Sequence, residues 1–312
     1  MPEGALKGLM GAVRQYLELD DAAEISLEAN PATLNSDKLR SIREAGFNRI
    51  SLGVQSFQDD DLLILGRSHN AGDAMNTIKL IQDSGISNYN LDLIYGIPGQ
   101  TISKWEESLG IALEAKPAHL SIYLLQLDES TPLSADIRRG CFEMSGDEIE
   151  AQMYEKGMDL IKAGGFRQYE ISNFSRPGYE CQHNLLYWKA REYIGVGAGA
   201  VSFTDNRRYI NKKNLMQYLQ RLEEGREPPV ELLESMDQLE LAADAIILGL
   251  RLCDGIDLEQ FDLRYGIKIL DYYKDIIEEC MDRGLLEICQ GRIGLSSKAY
   301  FISNQVLCHF TA

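Results

Sequence analysis

Asn90-Leu91-Asp92-Leu93-Ile94-Tyr95-Gly96-Ile97-Pro98-Gly99-Gln100 decides the reading of this chain. An acidic residue sits in an apolar run that gives way to a Gly-Ile-Pro-Gly turn, where backbone can approach a ligand closely. A strand is expected over residues 89–92, closed by Asp92. Three more strands are expected over residues 24–28, 49–55 and 120–126, ending on Glu28, Gln55 and Gln126. These polar ends lie roughly thirty residues apart, room for a loop, a helix and the return to a parallel strand. In a parallel α/β barrel such ends converge on one rim, where these folds place their chemistry. A purely structural pattern would put apolar residues there.

The segments between the strands read as helices. Residues 36–45 follow a capping Asn35 or Ser36 and stop at Gly46. Residues 2–19 carry Leu6, Leu9, Met10, Val13, Tyr16 and Leu17 at three- and four-residue steps, with Pro2 suited to the first turn. Further helices are expected over 60–65, 71–84, 103–114 and 147–163. Strands such as 50–54 are apolar and β-branched, as strands buried on both faces should be. From Asp128 to Pro229 the pattern loosens into a Gly-, Asn- and Tyr-rich stretch reaching Asn211, and Pro228-Pro229 is expected to mark a linker. Helices over 236–250, 258–264 and 267–283 then precede a hairpin over 284–295 around Gln290-Gly291, a winged-helix-like order.

Composition excludes several roles. The 312 residues are 45% hydrophobic and 25% charged, as in ordinary globular proteins. No apolar run reaches the ~20 residues that span a bilayer, and no basic-then-apolar export pattern opens the chain, so a cytoplasmic location is the default. With 31 Lys+Arg against 48 Asp+Glu the formal charge is −17, which disfavours nucleic acid. The would-be recognition helix sets Lys268, Lys274 and Arg283 against Asp271, Asp275, Glu278, Glu279 and Asp282, and facing phosphates it would repel. Cys141, Cys181, Cys253, Cys280, Cys289 and Cys308 show neither zinc nor iron–sulfur spacing and read as scattered free thiols.

The strand ends carry the chemistry. Leu27-Glu28-Ala29-Asn30-Pro31 ends on a carboxylate able to accept from ribose hydroxyls or pair with an ammonium. Gly53-Val54-Gln55-Ser56-Phe57 offers an amide with donor and acceptor. Each alone could simply cap a helix; on one rim they point to a polar, nucleoside-like ligand.

Through LEANP, ISLGVQSF, LDLIYGIPGQT and LLQLDESTPL the whole chain resembles the radical S-adenosylmethionine (SAM) proteins of the oxygen-independent coproporphyrinogen III oxidase family. The resemblance implies an incomplete parallel (β/α) barrel of α/β class with a helical, winged-helix-like C-terminal domain. It divides the chain into a partial barrel over 1–128, an extension over 129–229 and a helical domain over 230–312. It implies that Glu28, Gln55, Asp92, Arg67 in Gly66-Arg67-Ser68-His69-Asn70 and, more loosely, Gln126 contact S-adenosylmethionine. The family also carries a CxxxCxxC motif for a [4Fe-4S] cluster and a Gly-rich segment, neither of which occurs here. The expectation is an N-terminally incomplete chain lacking about two βα units and the cluster ligands.

Gln182-His183-Asn184-Leu185-Leu186-Tyr187-Trp188 contains HNxxYW, similar to the motif of the family's heme-chaperone branch. By that resemblance His183 would ligate heme iron while Tyr187 and Trp188 pack on the macrocycle. Relatives carry a histidine in the segment matching Gly197-Ala198-Gly199-Ala200-Val201-Ser202, where this chain has Val201. Gly195-Val196-Gly197-Ala198-Gly199 lacks the amphipathic helix that a dinucleotide loop needs. The function expected from this resemblance is a heme chaperone binding heme and S-adenosylmethionine; the alternatives are an oxidase decarboxylating coproporphyrinogen III and a non-catalytic remnant. No catalytic residue is assigned, and an enzyme activity is left undecided. Heme or a porphyrinogen, a heme-acceptor protein and a second copy in a homodimer are the expected partners.

Overall fold

The computed structural model describes residues 4–311. They form two compact units, Met1–Glu180 and Cys181–Ala312.

The first unit alternates helices and strands: α1 (Ala5–Tyr16), β1 (Ser26–Ala29), α2 (Ser36–Ala45), β2 (Arg49–Gln55), α3 (Asp59–Ile64), α4 (Ala71–Asp83), β3 (Tyr89–Tyr95), α5 (Ile102–Glu114) and β4 (His119–Leu124), then α6 (Pro132–Arg138), α7 (Asp147–Ala163), β5 (Arg167–Glu170) and β6 (Asn173–Ser175). Local signals set the helix ends as expected. Asn35 caps α2 by accepting from the Lys38 N–H at 2.9 Å, and Gly46 ends it in the left-handed region. Pro2 lies outside the described residues.

The sheet runs β1-β2-β3-β4-β6-β5, with β1 to β4 parallel. The last two strands, antiparallel to their neighbours, come from the stretch where the sequence pattern loosens. β3 runs through Tyr95, so Asp92 lies mid-strand rather than at its end. The reason is pairing: Leu93, Ile94 and Tyr95 continue the ladder opposite Ile122, Tyr123 and Leu124.

The two faces of this sheet differ. Ile50, Leu52, Leu91, Leu93, Leu120, Ile122 and Phe174 are almost wholly buried, as are Leu39 and Ile42 of α2, Ile81 of α4 and Trp105 and Leu109 of α5. The opposite face carries a row in register, Glu28, Ser51, Asn90, His119 and Ser175, and beside it Asp92, Ser121 and Asn173. The strands therefore alternate apolar and polar instead of being apolar on both faces. α5 and α7 are locked by Trp105, whose Nε1 donates to the Met153 carbonyl at 2.9 Å. A Cβ at Gly157 would lie 3.2 Å from that nitrogen, so α7 approaches through a residue without a side chain.

The second unit opens with α8 (Gln182–Trp188), followed by β7 (Val201–Thr204), β8 (Arg207–Asn211), α9 (Leu215–Glu223) and β9 (Val230–Ser235). The three strands form an antiparallel sheet, β7-β8-β9. Pro228-Pro229 stands immediately before β9, with the Pro229 carbonyl accepting from the Lys212 N–H at 2.8 Å. Next come α10 (Gln238–Gly249), β10 (Ile256–Asp257), α11 (Leu258–Tyr265), α12 (Ile269–Tyr272), α13 (Lys274–Asp282), β11 (Leu286–Cys289), β12 (Arg292–Leu295) and α14 (Ser303–Leu307). The expected 284–295 hairpin is β11–β12, and β10 adds a third strand beside β12. The expected helix over 267–283 is broken at Tyr273, which leaves helical geometry and sets its ring 5.2 Å from that of Phe310. Tertiary packing overrides a continuous helical pattern there.

Trp105→Ala should cost about 3–5 kcal/mol, since it empties a fully buried site and removes the hydrogen bond to the Met153 carbonyl. Urea unfolding followed by circular dichroism measures this; a loss below about 1 kcal/mol would show that α5 and α7 are not locked through this ring.

Candidate functional site

Asn90 organises the polar face from the middle of the sheet. Its Nδ2 donates to Ser51 Oγ and to Asp92 Oδ1, each at 2.7 Å. Its Oδ1 accepts from Ser121 Oγ at 3.2 Å and from His119 Nδ1 at 2.7 Å. An amide oxygen only accepts, so the His119 proton is on Nδ1. Burial, reinforced by the charge of Arg49, holds the His119 imidazole well below its usual range, so it is neutral. Its bare Nε2 then accepts from the Tyr169 hydroxyl at 2.8 Å. Ser51 Oγ completes the set by donating to Asp92 Oδ2 at 3.1 Å. Both oxygens of Asp92 are thus engaged by neutral donors. Burial nevertheless pushes its pKa up, partly offset by the hydrogen bonds from Asn90 and Ser51, and the Glu28 charge adds to the rise.

At the ends of β1 and β2 the face opens to solvent. Glu28 is exposed. Gln55 has φ 71°, left-handed for a residue with a side chain, and the β2–β3 ladder shifts register between Leu52 and Gln55. Such a conformation costs about 1–3 kcal/mol and is found where a fold holds a residue for a purpose. A Cβ at Gly53 would lie 3.0 Å from Gln55 Nε2 and 3.4 Å from Asn30 Oδ1, so these amides border a space that only a glycine leaves clear. Arg67 is exposed just beyond α3, where its backbone N–H closes on the Leu62 carbonyl at 2.9 Å. Gln126 is exposed past β4, whose ladder ends with the Leu125 N–H on the Tyr95 carbonyl at 2.9 Å. Register brings Glu28 and Asp92 onto the polar face. Gln55 ends the neighbouring strand, while Arg67 and Gln126 stand on loops after their elements.

In the second unit His183 is exposed on the first turn of α8. Its ring stands edge-on to Tyr187 at 4.9 Å, and Tyr187 is in turn edge-on to Tyr193 at 4.6 Å. Exposed Leu186 adjoins Tyr187 in sequence. The Trp188 ring, expected against a macrocycle, has the Arg251 guanidinium 5.5 Å from its centre. Val201 starts β7, opposite Ile210.

Comparison with known proteins fixes the family. Residues 5–111 match the radical SAM superfamily, and residues 236–302 match the HemN C-terminal domain. The heme chaperone HemW of Bacillus subtilis is 33% identical over 311 residues, covering 99% of this chain and 82% of the relative. The Escherichia coli heme chaperone HemW is 40% identical over 206 residues, 65% of this chain and 53% of that protein. The chain belongs to the HemW heme-chaperone family of radical SAM proteins. Its fold is that of the Escherichia coli coproporphyrinogen III oxidase HemN, a radical SAM enzyme, at TM-score 0.84 and 20% identity, covering all of this chain and 75% of the other. The architecture is thus a radical SAM α/β barrel with its C-terminal domain.

The radical SAM family implies a [4Fe-4S] cluster and S-adenosylmethionine. Among the described residues no three His, Cys, Asp or Glu side chains gather as a metal site, and the six cysteines are scattered and not disulfide-bonded. They do not fit an iron–sulfur cluster. The polar face does fit an adenosine-bearing ligand: an exposed carboxylate at Glu28, a fixed carboxylate at Asp92 and the amides bordering Gly53. The sequence hid Asn90, Ser121 and His119 because they look like ordinary strand residues until pairing sets them in rows. Their alternation with leucines and isoleucines was the available signal.

Asp92 gives a pH signature. Its folded pKa is raised, so over the window between the unfolded carboxylate value, about 3.9, and the folded value, the unfolded chain has lost the proton that the fold keeps. Stability from this group is present below that window and lost as pH rises through it. Asp92→Asn should flatten the dependence, with the variant gaining on the wild type as pH rises. Denaturant unfolding across pH 3–8 tests this, and a wild type that gains on the variant with rising pH would refute a raised pKa.

Proposed function

We propose that this HemW-family chain binds heme through His183 on α8 and S-adenosylmethionine on the polar sheet face, and that it delivers heme to an acceptor protein. The observation that carries the heme reading is the exposed imidazole backed by Tyr187 and Tyr193. An imidazole held edge-on against one phenol ring, itself braced by a second, has restricted orientations. That suits axial ligation of iron carried as cargo. Exposed Leu186 offers apolar surface beside it.

For S-adenosylmethionine, Glu28 would accept from the ribose hydroxyls or pair with the ammonium, Asp92 would fix the ligand from the sheet, and Gln55 would meet the polar edge. Arg67 and Gln126 would close from the loops. These residues bind and orient. The names of the relatives support heme delivery over porphyrinogen oxidation.

Hemin titration followed by the Soret band should show His183→Ala binding heme at least several-fold more weakly than the wild-type chain; equal affinity would overturn the assignment. Equilibrium dialysis with S-adenosylmethionine should show weaker binding by Glu28→Ala and by Asp92→Ala, with heme affinity little changed. Retention of the ligand by both variants would discredit the polar-face site.

A further inference from the structure

Both neighbours of Gln55 in sequence are tied down. The Val54 carbonyl lies 3.1 Å from His69 Nε2; a carbonyl only accepts, so that nitrogen carries the ring proton. His69 belongs to the segment after α3, and it is 6% exposed beside an exposed Arg67 and Ser68. On the other side Ser56 Oγ donates to Asp61 Oδ2 at 2.8 Å. Gln100 Nε2 donates to the same oxygen at 2.8 Å, and Gln100 Oε1 accepts from the Gly96 N–H at 2.9 Å. Ser56 and Asp61 are 1% exposed and Gln100 is 4% exposed. A carboxylate at such depth is costly and needs its hydrogen bonds. Here they join the loop after β2 to the Gly-Ile-Pro-Gly turn after β3.

What this arrangement accomplishes is visible at Gln55 itself. The ladder shifts register between Leu52 and Gln55, Gln55 pairs again with Leu93, and the Ser56 N–H closes on the Val54 carbonyl at 2.9 Å across Gln55, a three-residue turn that carries its φ of 71°. The tethers on residues 54 and 56 grip the two ends of that turn. Turning the backbone there brings the Gln55 amide over Gly53, facing Asn30. We propose that His69 and Asp61 are positioning residues, which lock Gln55 in its left-handed conformation so that its amide is presented to an adenosine-bearing ligand. The ligand part rests on the S-adenosylmethionine reading above; the locking does not.

A double-mutant cycle separates the two parts. Gln55→Gly removes the strain, because glycine takes this φ freely, but it also loosens the unfolded chain. That second effect is the same in every background and cancels in the cycle. If the tethers hold the strain, losing one lets Gln55 relax, and the glycine then has nothing left to relieve. Gln55→Gly should therefore improve the folding equilibrium about fivefold or more in the wild type relative to its effect in His69→Phe or Asp61→Ala. His69→Phe keeps a ring in place and deletes one hydrogen bond, so it serves where Asp61→Ala does not fold.

An equal effect of Gln55→Gly in wild type and His69→Phe would overturn the positioning role. Equilibrium binding of S-adenosylmethionine gives the second readout: His69→Phe should weaken it at least fivefold, and Gln55→Ala should add little on top. A wild type that folds with the predicted coupling yet does not bind S-adenosylmethionine would sink the ligand reading alone. Binding unchanged in His69→Phe would overturn presentation of the amide.

Discussion

The four hydrogen bonds of one amide, Asn90, hold the polar face together across β2, β3 and β4. An amide has two donors and two acceptor positions, and here each points to a different partner in the row. Serine, aspartate, histidine and serine are thereby fixed to one another through a side chain that cannot itself ionise. A half-satisfied network in such a place would be worse than an apolar surface. The single proton on the neutral His119 follows from it, and so does the accepting role of its second nitrogen toward Tyr169. The network continues with less complete pairing toward β6. Asn173 Oδ1 and Ser175 Oγ are buried there without a hydrogen-bond partner among the described residues, leaving capacity for further bonds.

This explains why the sheet has a wet and a dry side. Helices α2, α4, α5 and α7 bury mainly apolar residues, with Trp105 and Gly157 where α5 and α7 approach most closely. The other face gathers groups that would be intolerable in that core. A carboxylate there has its ionised form disfavoured by burial and restored in part by neutral donors. Positions nearer the strand ends, Glu28 and Gln55, are instead open or strained. The face thus grades from a rigid interior to an accessible edge, as a ligand site needs: a stiff base and a reachable rim.

The second unit solves a different problem. Its histidine is exposed, and its orientation is held by edge-on contacts from Tyr187 on α8 and, behind it, Tyr193 in the segment before β7. Arg251 lies over Trp188, so Tyr187 and Tyr193 are the rings that bear on the imidazole.

Much of this was legible before any coordinate. Asn35 and Gly46 announced α2, Gln290-Gly291 announced the hairpin, and a helix was readable over 147–163, because caps and turns are set by a few neighbouring residues. LDLIYGIPGQT and HNLLYW were enough to point to the family. Other features were invisible. Asp92 looked like a strand end, yet pairing with β4 carries β3 three residues further. Residues 267–283 looked like one helix, yet Tyr273 turns inward to Phe310. The stretch from Asp128 looked loose because its strands are only three to six residues long and β6 pairs with β4, some fifty residues earlier. The sequence by itself determined the elements, their order and the residue types at the rim, since these follow from local chemistry. Only the tertiary structure decided which polar residues share a row, which nitrogen of His119 holds the proton, and that Gln55 is strained. Those depend on register, burial and bonds between segments far apart in the chain.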